Sequence, residues 1–228
     1  MLKNFLSKVE LFKNLDNTIL EEIAGQFTVQ VYLRNNVIFI ENEKGDNLYV
    51  VRKGSLKIYR TVEDGREIML DVLFPGCFFG EMALLDNFRR SASVQTREKS
   101  ELLVMPGKIF ATLVRQHPTI AFNIILVMSR RLRLANLQME SLALKYARSR
   151  IINAILRISQ RQQNQESSSV LRYGINLTHQ EIGDFSGTSR ETVTRVVQEL
   201  QEKKLISLKK RRLVVLDQDA LENEYKKV

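Results

Sequence analysis

The stretch Thr178–Leu200, THQEIGDFSGTSRETVTRVVQEL, most constrains what this chain can fold into. Ile182 and Phe185 sit three apart and make the apolar face of one short helix. Thr178 can cap that helix, and Glu181 three residues on completes a capping box. Gly183 has no side chain, so a second helix can press close there. Ser186-Gly187-Thr188 breaks the run, with Gly187 free to take a positive φ. Ser189 is a plain N-cap for the second helix. Val193, Val196, Val197 and Leu200 then recur at i, i+3, i+4 and i+7 as one buried stripe. The spacing therefore predicts two helices joined by a tight turn.

The second helix leaves Arg190, Glu191, Thr194, Arg195 and Gln198 for solvent. A helix in the DNA major groove touches base edges with its N-terminal residues. Arg can fork onto guanine O6 and N7, and a carboxylate can accept from cytosine N4. Glu191 between two arginines would repel phosphates, but it suits base reading. The competing account is a solvated helix carrying a surface Arg–Glu pair. Thr178, His179, Gln180 and Ser189 lie at the helix starts, where phosphates can be met. His179 reads as such a surface contact rather than a metal ligand. Lys203–Leu208 and Arg212–Leu216 form a β-hairpin around Lys209, Lys210 and Arg211, a basic tip suited to phosphate contact or simply to solvent.

Composition sets outer bounds. The chain has 228 residues, 44% of them hydrophobic, and a net charge of +9, which favours a polyanionic partner. Residues 146–228 hold 15 Lys/Arg against 10 Asp/Glu and the rest 20 against 16, so charge alone does not locate a DNA face. The single Cys77 excludes an internal disulfide and a cysteine-ligated iron–sulfur cluster within one chain. No stretch has the length and apolarity of a membrane span, and no apolar signal core opens the chain, so a soluble cytoplasmic protein is expected. Two His, one Cys and no paired carboxylates leave no catalytic set, so no enzyme is expected.

Helical spacing runs through residues 1–25, with Asp16 placed to cap a second short helix. From about residue 27 to 110 the period changes to two. Phe27/Val29/Val31/Leu33, Val37–Ile40, Leu48–Val51, Leu56/Ile58/Tyr59 and Ile68/Leu70/Val72 read as short strands. Gly45, Gly54, Gly65 and Gly76 mark their corners, a pattern that points to a sandwich or rolled barrel. Residues 80–91, GEMALLDNFRRS, suit a phosphate-bearing ligand. Gly80 permits close approach, Met82–Leu85 could present free amides, Arg90 can fork onto a phosphate and Ser91 can add a hydroxyl. Glu81 could accept from a ribose hydroxyl, or could simply pair with Arg90. Pro118 then opens a helix to about residue 145. Ile125, Met128, Leu132, Ala135, Met139 and Leu142 step by 3 and 4 along it, a heptad seam for two parallel helices, with Arg130, Arg131 and Arg133 off the seam. Ser149–Ser159 reads as a further amphipathic helix, residues 161–169 as a polar loop, 171–177 as a short strand and 217–228 as a frayed helical tail.

The Gln-Glu-Ile-Gly and Ser-Arg-Glu-Thr-Val-Thr-Arg runs resemble the helix-turn-helix of the cyclic-AMP receptor protein/FNR family of bacterial transcription regulators. Tyr49–Ile58 and Phe74-Pro75-Gly76 leading to Phe79-Gly80-Glu81 are similar to its β-roll, so the likeness covers nearly the whole chain. It implies an α+β protein: a sensor β-roll over 1–117, a dimerisation helix over 118–145 and a winged helix-turn-helix over 146–228. It implies Gly80, Glu81, Met82, Arg90 and Ser91 as effector ligands. The Thr and Ser that hold adenine in the best-known members correspond here to Ala135 and Asn136, which leaves cyclic AMP, cyclic GMP, another anion or no effector open. The likeness also implies a homodimer reading an inverted repeat similar to TGTGA-N6-TCACA through Arg190, Glu191 and Arg195, with RNA polymerase as partner. A nucleotide-binding module acting on a protein partner is the alternative. The lack of further cysteines separates the chain from the oxygen-sensing FNR branch.

Overall fold

A computed structural model describes residues 2–144, 146–163, 177–209 and 212–226. The chain divides into two compact units, Met1–Arg60 with Asp71–Leu134, and Thr61–Leu70 with Ala135–Val228.

The first unit opens with α1 (Leu2–Leu6), a 3-10 turn (Glu10–Phe12) and α2 (Asn17–Gly25). Asp16 occupies the N-cap position of α2, but its side chain makes no capping bond. Eight strands follow: β1 (Thr28–Tyr32), β2 (Val37–Phe39), β3 (Asn47–Lys53), β4 (Leu56–Thr61), β5 (Glu67–Leu73), β6 (Phe78–Phe79), β7 (Ser93–Thr96) and β8 (Ser100–Pro106), with α3 (Met82–Leu85) between β6 and β7. They form two four-stranded sheets, ordered β1-β8-β3-β6 and β2-β7-β4-β5. Period-two alternation explains the layering. Leu48, Val50, Phe78, Leu103 and Met105 turn to one side of the first sheet and pack with Leu6, Phe12, Ile23, Phe110 and Ile120. Tyr49, Val51, Phe79, Leu102 and Val104 turn to the other and meet Phe39, Leu56, Leu73 and Val94.

The spacing in the sequence does not mark β6, β7, β8 or α4 (Gly107–Gln116). β8 is apolar on both faces, so Leu102-Leu103-Val104-Met105 shows no alternation to read. Gly54, Gly65 and Gly76 do take positive φ at corners. Gly45 serves differently: a Cβ there would lie 2.6 Å from the Ala83 Cβ and 3.1 Å from the Arg90 guanidinium carbon.

α5 (Pro118–Leu144) starts on this core through Ile120, Ile124 and Val127. Buried Asn123 donates from Nδ2 to the carbonyls of Leu11 at 3.1 Å and Lys13 at 2.9 Å, tying α5 to the leading segment.

In the second unit α6 (Ala147–Gln163), α7 (His179–Ser186) and α8 (Arg190–Glu202) pack together, and α8 meets the hairpin of β9 (Ile206–Lys209) and β10 (Arg212–Val215). Ile151, Ile152, Ile155, Ile182, Val193, Val196, Val197, Leu200, Ile206 and Leu213 are among its buried residues. The tail expected to be helical and frayed over 217–228 is helical, but its described residues do not fray. They carry α9 (Gln218–Lys226), whose Leu221 is fully buried. Glu224 of α9 joins Arg148 and Lys203, and both cations also reach Glu199 of α8. The helix expected over Ser149–Ser159 runs on to Gln163, into the expected loop. The rest of that loop and the expected strand, up to residue 176, lie outside the described residues.

Asn123→Ala should strand the buried Leu11 carbonyl and free the partly buried Lys13 carbonyl. The expected loss is about 1–3 kcal/mol, read as a lower denaturant midpoint for the transition of the first unit.

Candidate DNA-reading and effector sites

α7 begins with the capping box expected from Thr178 and Glu181: Thr178 Oγ1 accepts from Glu181 N at 3.2 Å, and Thr178 N donates to Glu181 Oε2 at 2.7 Å. It ends at Gly187, φ 61°, in the left-handed region. A Cβ on Gly183 would lie 2.9 Å from the Thr188 carbonyl oxygen, so only glycine lets the turn fold back this closely. Arg150 of α6 donates from Nε to the Ser186 carbonyl at 3.0 Å and from Nη2 to the Gly187 carbonyl at 3.1 Å, closing the end of α7. Ser189 caps α8 by accepting from Thr192 N at 3.3 Å.

With the apolar stripe of α8 buried, Arg190, Glu191, Thr194, Arg195 and Gln198 are all exposed on its other side. The Glu191 carboxyl is held below the usual glutamate range by its own backbone amide, by the Ser189 hydroxyl and by Arg190. Several expected phosphate contacts have internal partners. Thr178 Oγ1 donates to Glu181 Oε2, and Gln180 Nε2 donates to Asp184 Oδ1 at 2.8 Å. Thr194 Oγ1 donates to the Arg190 carbonyl and meets His179 Nδ1, each at 2.9 Å. Lys209 pairs with Arg212 across the β9–β10 hairpin, while Lys210 and Arg211 lie outside the described residues.

In the first unit Gly80 (φ 82°), Glu81, Met82, Arg90 and Ser91 line one small cavity of about 90 Å3, with Arg131 of α5. Met82 and Ser91 are exposed at it. Arg90 is only 4% exposed. It donates from Nη1 to the Gly80 carbonyl at 2.7 Å and from Nη2 to the Asn47 carbonyl at 3.0 Å, with Phe39 4.1 Å beneath it. Burial pushes its guanidinium below the usual arginine range, against the pull of Tyr49, Asp46, Glu81 and Glu43. Glu81 is 1% exposed and pairs with Arg131, not with Arg90. Arg131 Nη1 lies 2.7 Å from Glu81 Oε1, and its Nη2 donates to the Phe78 carbonyl at 3.0 Å. Glu81 Oε2 and Arg90 Nε are buried with no hydrogen-bond partner among the described residues. α3 offers fewer amides than its sequence suggests, since Leu84 N and Leu85 N both bond the Glu81 carbonyl.

Both units match described families. Residues 29–117 match the cyclic nucleotide-binding domain and residues 149–224 the Crp-like helix-turn-helix domain. The cyclic AMP receptor protein of Thermus thermophilus is 34% identical over 202 residues, 87% of this chain and 88% of that protein. The chain belongs to the CRP/FNR family of transcription regulators. The CRP-like cAMP-activated global transcriptional regulator of Mycobacterium tuberculosis is 27% identical over 220 residues, 96% of this chain and 98% of that one. Among solved structures, the catabolite activator protein of Thermus thermophilus is 33% identical with a TM-score of 0.55, covering 96% of this chain and 99% of its own. FixK2 from Bradyrhizobium japonicum, 21% identical, shares the fold at a TM-score of 0.76 over 86% of this chain and 96% of its own. The α7–α8 pair is thus the DNA-binding helix-turn-helix of a CRP-like regulator, and the first unit is a cyclic-nucleotide-binding-type domain.

Along α5 of this CRP-like chain, Ile125, Leu132 and Met139 are each about 60% exposed, and Ala135 and Asn136 are exposed too. Met128 instead packs against the core of its own unit. The exposed stripe runs Phe122, Ile125, Ser129, Leu132, Asn136, Met139, the same 3-and-4 spacing in the other phase; only Ser129 on it is half-buried. The side chain of Leu142 lies outside the described residues. Sequence reasoning gives Arg131 and Arg150 no role in either site. Arg131 stands one turn before Ala135 on the same helix, which is the local sign that could have placed it beside the effector residues.

Gly183→Ala should set a methyl against the Thr188 carbonyl and cost the second unit about 1–3 kcal/mol. Gly25→Ala, where a Cβ meets nothing within 4 Å, serves as the silent control. Thermal unfolding of both variants checks the contrast.

Proposed function

We propose that this CRP-like regulator acts as a homodimer reading an inverted repeat similar to TGTGA-N6-TCACA. The observation that carries this is the exposed face of α8, where Arg190, Glu191 and Arg195 stand together on a helix whose opposite stripe is fully used in packing. Two forked donors and one carboxylate acceptor suit guanines met by the arginines and a cytosine whose N4 donates to Glu191. The apolar stripe on α5 supports the dimer, because a row of large exposed apolar residues at heptad spacing calls for a parallel copy of itself. A two-fold pair would present its recognition helices to successive major grooves, about 34 Å apart. Ser189, at the start of α8, and Lys209–Arg211 at the wing would hold phosphates. RNA polymerase is the expected partner, the cytoplasm and nucleoid the expected location, and no catalysis is expected. The described helices include none long and apolar enough to cross a membrane.

Selection of sites from random duplex DNA tests the reading. Arg195→Ala should lose about 1–3 kcal/mol of discrimination at one base pair while holding random DNA nearly as before. Lys210→Ala should weaken all duplexes alike and flatten the salt dependence by about one charge. Equal loss on every sequence for Arg195→Ala contradicts base reading.

A cyclic nucleotide is the effector that the first unit fits in part. The unspent Nε of Arg90 can donate to a phosphate oxygen, and the unspent Oε2 of Glu81 can accept from a ribose hydroxyl. The base is less well provided for, since Ala135 offers no donor or acceptor and only Asn136 can read an edge. The 90 Å3 cavity is smaller than the about 300 Å3 at which ligand pockets usually begin. Entry therefore requires movement, and Arg131, which spans Glu81 and the Phe78 carbonyl, is the side chain in the way. A ligand that takes Glu81 from Arg131 changes the contacts of α5, which also carries the dimer stripe. This couples occupancy to the spacing of the recognition helices. Calorimetry of the intact protein with cyclic AMP and cyclic GMP should give a saturable heat with at least one of them, abolished in Arg90→Leu. No heat with either at millimolar ligand favours the effector-independent regulator instead. Tight nucleotide binding joined to equal grip on all duplexes favours the module that acts on a protein partner.

A further inference from the structure

The chain has two histidines, His117 and His179. His117 caps the end of α4 in the first unit. His179 is the first residue of α7, and its Nδ1 lies 2.9 Å from Thr194 Oγ1 on the recognition helix. A hydroxyl has one proton to give, and Thr194 gives it to the Arg190 carbonyl. The proton in the His179–Thr194 contact must therefore come from the ring, and Nδ1 carries it. A relay runs from His179 Nδ1–H to Thr194 O–H to the Arg190 carbonyl.

That relay fixes the tautomer. In the neutral ring Nε2 is a bare lone pair, on the side of the ring away from Thr194, and among the described residues it has no hydrogen-bond partner. The charged groups on the elements packed around it include Glu181 and Asp184 on α7, Arg190, Glu191, Arg195, Glu199 and Glu202 on α8, and Arg148, Arg150 and Arg157 on α6, with Glu199 paired to Arg148. Glu181 is engaged by Thr178, Asp184 holds Gln180, Glu191 is held by Ser189 and Arg190, Arg150 closes the α7 turn, and Arg157 lies over Phe185. None of them makes a bond to Nε2. A bare lone pair repels a phosphate oxygen, whereas an imidazolium N–H donates to it with charge assistance.

We propose that His179 is a proton-gated ligand for a DNA backbone phosphate. The inference rests on the α7–α8 pair reading DNA. The Nδ1 bond to Thr194 exists in both protonation states, so the ring can gain its second proton without loosening the two helices. An adjacent phosphate favours the charged ring, so DNA binding takes up a proton and tightens as pH falls. A merely structural latch predicts no such dependence, because the latch uses the proton that never leaves.

The test is fluorescence anisotropy of the full chain at fixed ionic strength, with the best selected palindrome and with a random duplex of equal length. Between about pH 8 and about pH 6 the wild type should tighten about tenfold on both duplexes, since a phosphate carries no sequence. His117→Asn should keep that slope. His179→Asn retains a donor for Thr194 and should stay at the weak, high-pH affinity throughout. His179→Arg should bind tightly at both ends of the range. A flat wild-type profile overturns the proposal, as does a slope that survives in His179→Asn. Tightening on the palindrome alone overturns it too, because it would mean base reading. Equal grip on both duplexes at every pH refutes specific reading while leaving the phosphate contact standing. A protein that holds neither duplex removes the DNA reading and this inference together.

Discussion

The geometry of the second unit depends on one close approach, the Thr188 carbonyl over Gly183. A side chain there would push the turn away, and the angle between α7 and α8 would open. Around that contact the backbone groups freed by the turn are each accounted for. Thr188 N returns to the Gly183 carbonyl at 3.0 Å, Arg150 takes the carbonyls of Ser186 and Gly187, and the Ser186 hydroxyl bonds the Ile182 carbonyl at 2.7 Å. Unpaired buried backbone groups are costly, so this accounting keeps the corner in a single conformation. Once it is set, the helical period does the rest. Burying Val193, Val196, Val197 and Leu200 leaves Arg190, Glu191, Thr194 and Arg195 no side of α8 to occupy except the outer one. The exposed residues of α8 thus follow from the packing of their opposites.

The fold around this corner is readable in the sequence because its determinants are local. The capping box spans four residues, the turn three, and the buried stripe eight. The β-roll is less legible for the converse reason. β3 and β8 pair Leu48 with Met105 and Val51 with Leu102, and nothing within a few residues of either announces its partner. β7, short and polar, gains its place only by lying between β2 and β4. The pairing of Glu81 with Arg131 crosses 50 positions, so no spacing rule finds it, and the nearer Arg90 looks the better partner on paper. The α9 tail misleads in a different way. Its composition is polar, but Leu221 is fully buried and Glu224 meets two cations, so tertiary contacts decide what local propensity leaves open.

α5 shows how two demands on one helix can mislead a periodic reading. The residues at 125, 132 and 139 belong to both heptad phases; the intervening positions are 128 and 135 in one and 122, 129 and 136 in the other. Sequence spacing is indifferent between them. The β-roll core takes Met128 for itself, together with Ile120, Ile124 and Val127, and so turns Phe122 outward. This phase sets Ser129 and Asn136 on the exposed stripe. Polar residues at such positions weaken a coiled coil but fix its register and strand number.

The small cavity beside Glu81 and Arg90 is costly as it stands. A buried carboxylate and a buried guanidinium each give up hydration, and in each one polar atom goes unmatched, a penalty of about 1–3 kcal/mol per group or more for charged groups. An apolar filling of similar volume would stabilise the roll better. Arg131 recovers part of the cost on Glu81, and the two backbone carbonyls recover part on Arg90, but each residue keeps one unmatched polar atom, and both residues line the same cavity. A ligand with one donor hydroxyl and one anionic acceptor would satisfy both at once. Its binding energy would come in part from relieving the pocket. Because relief begins with release of Arg131, the response would be delivered first to α5 and not to the sheets. Such a design trades resting stability for sensitivity, and that trade is the physical argument for a responsive first unit over an inert one.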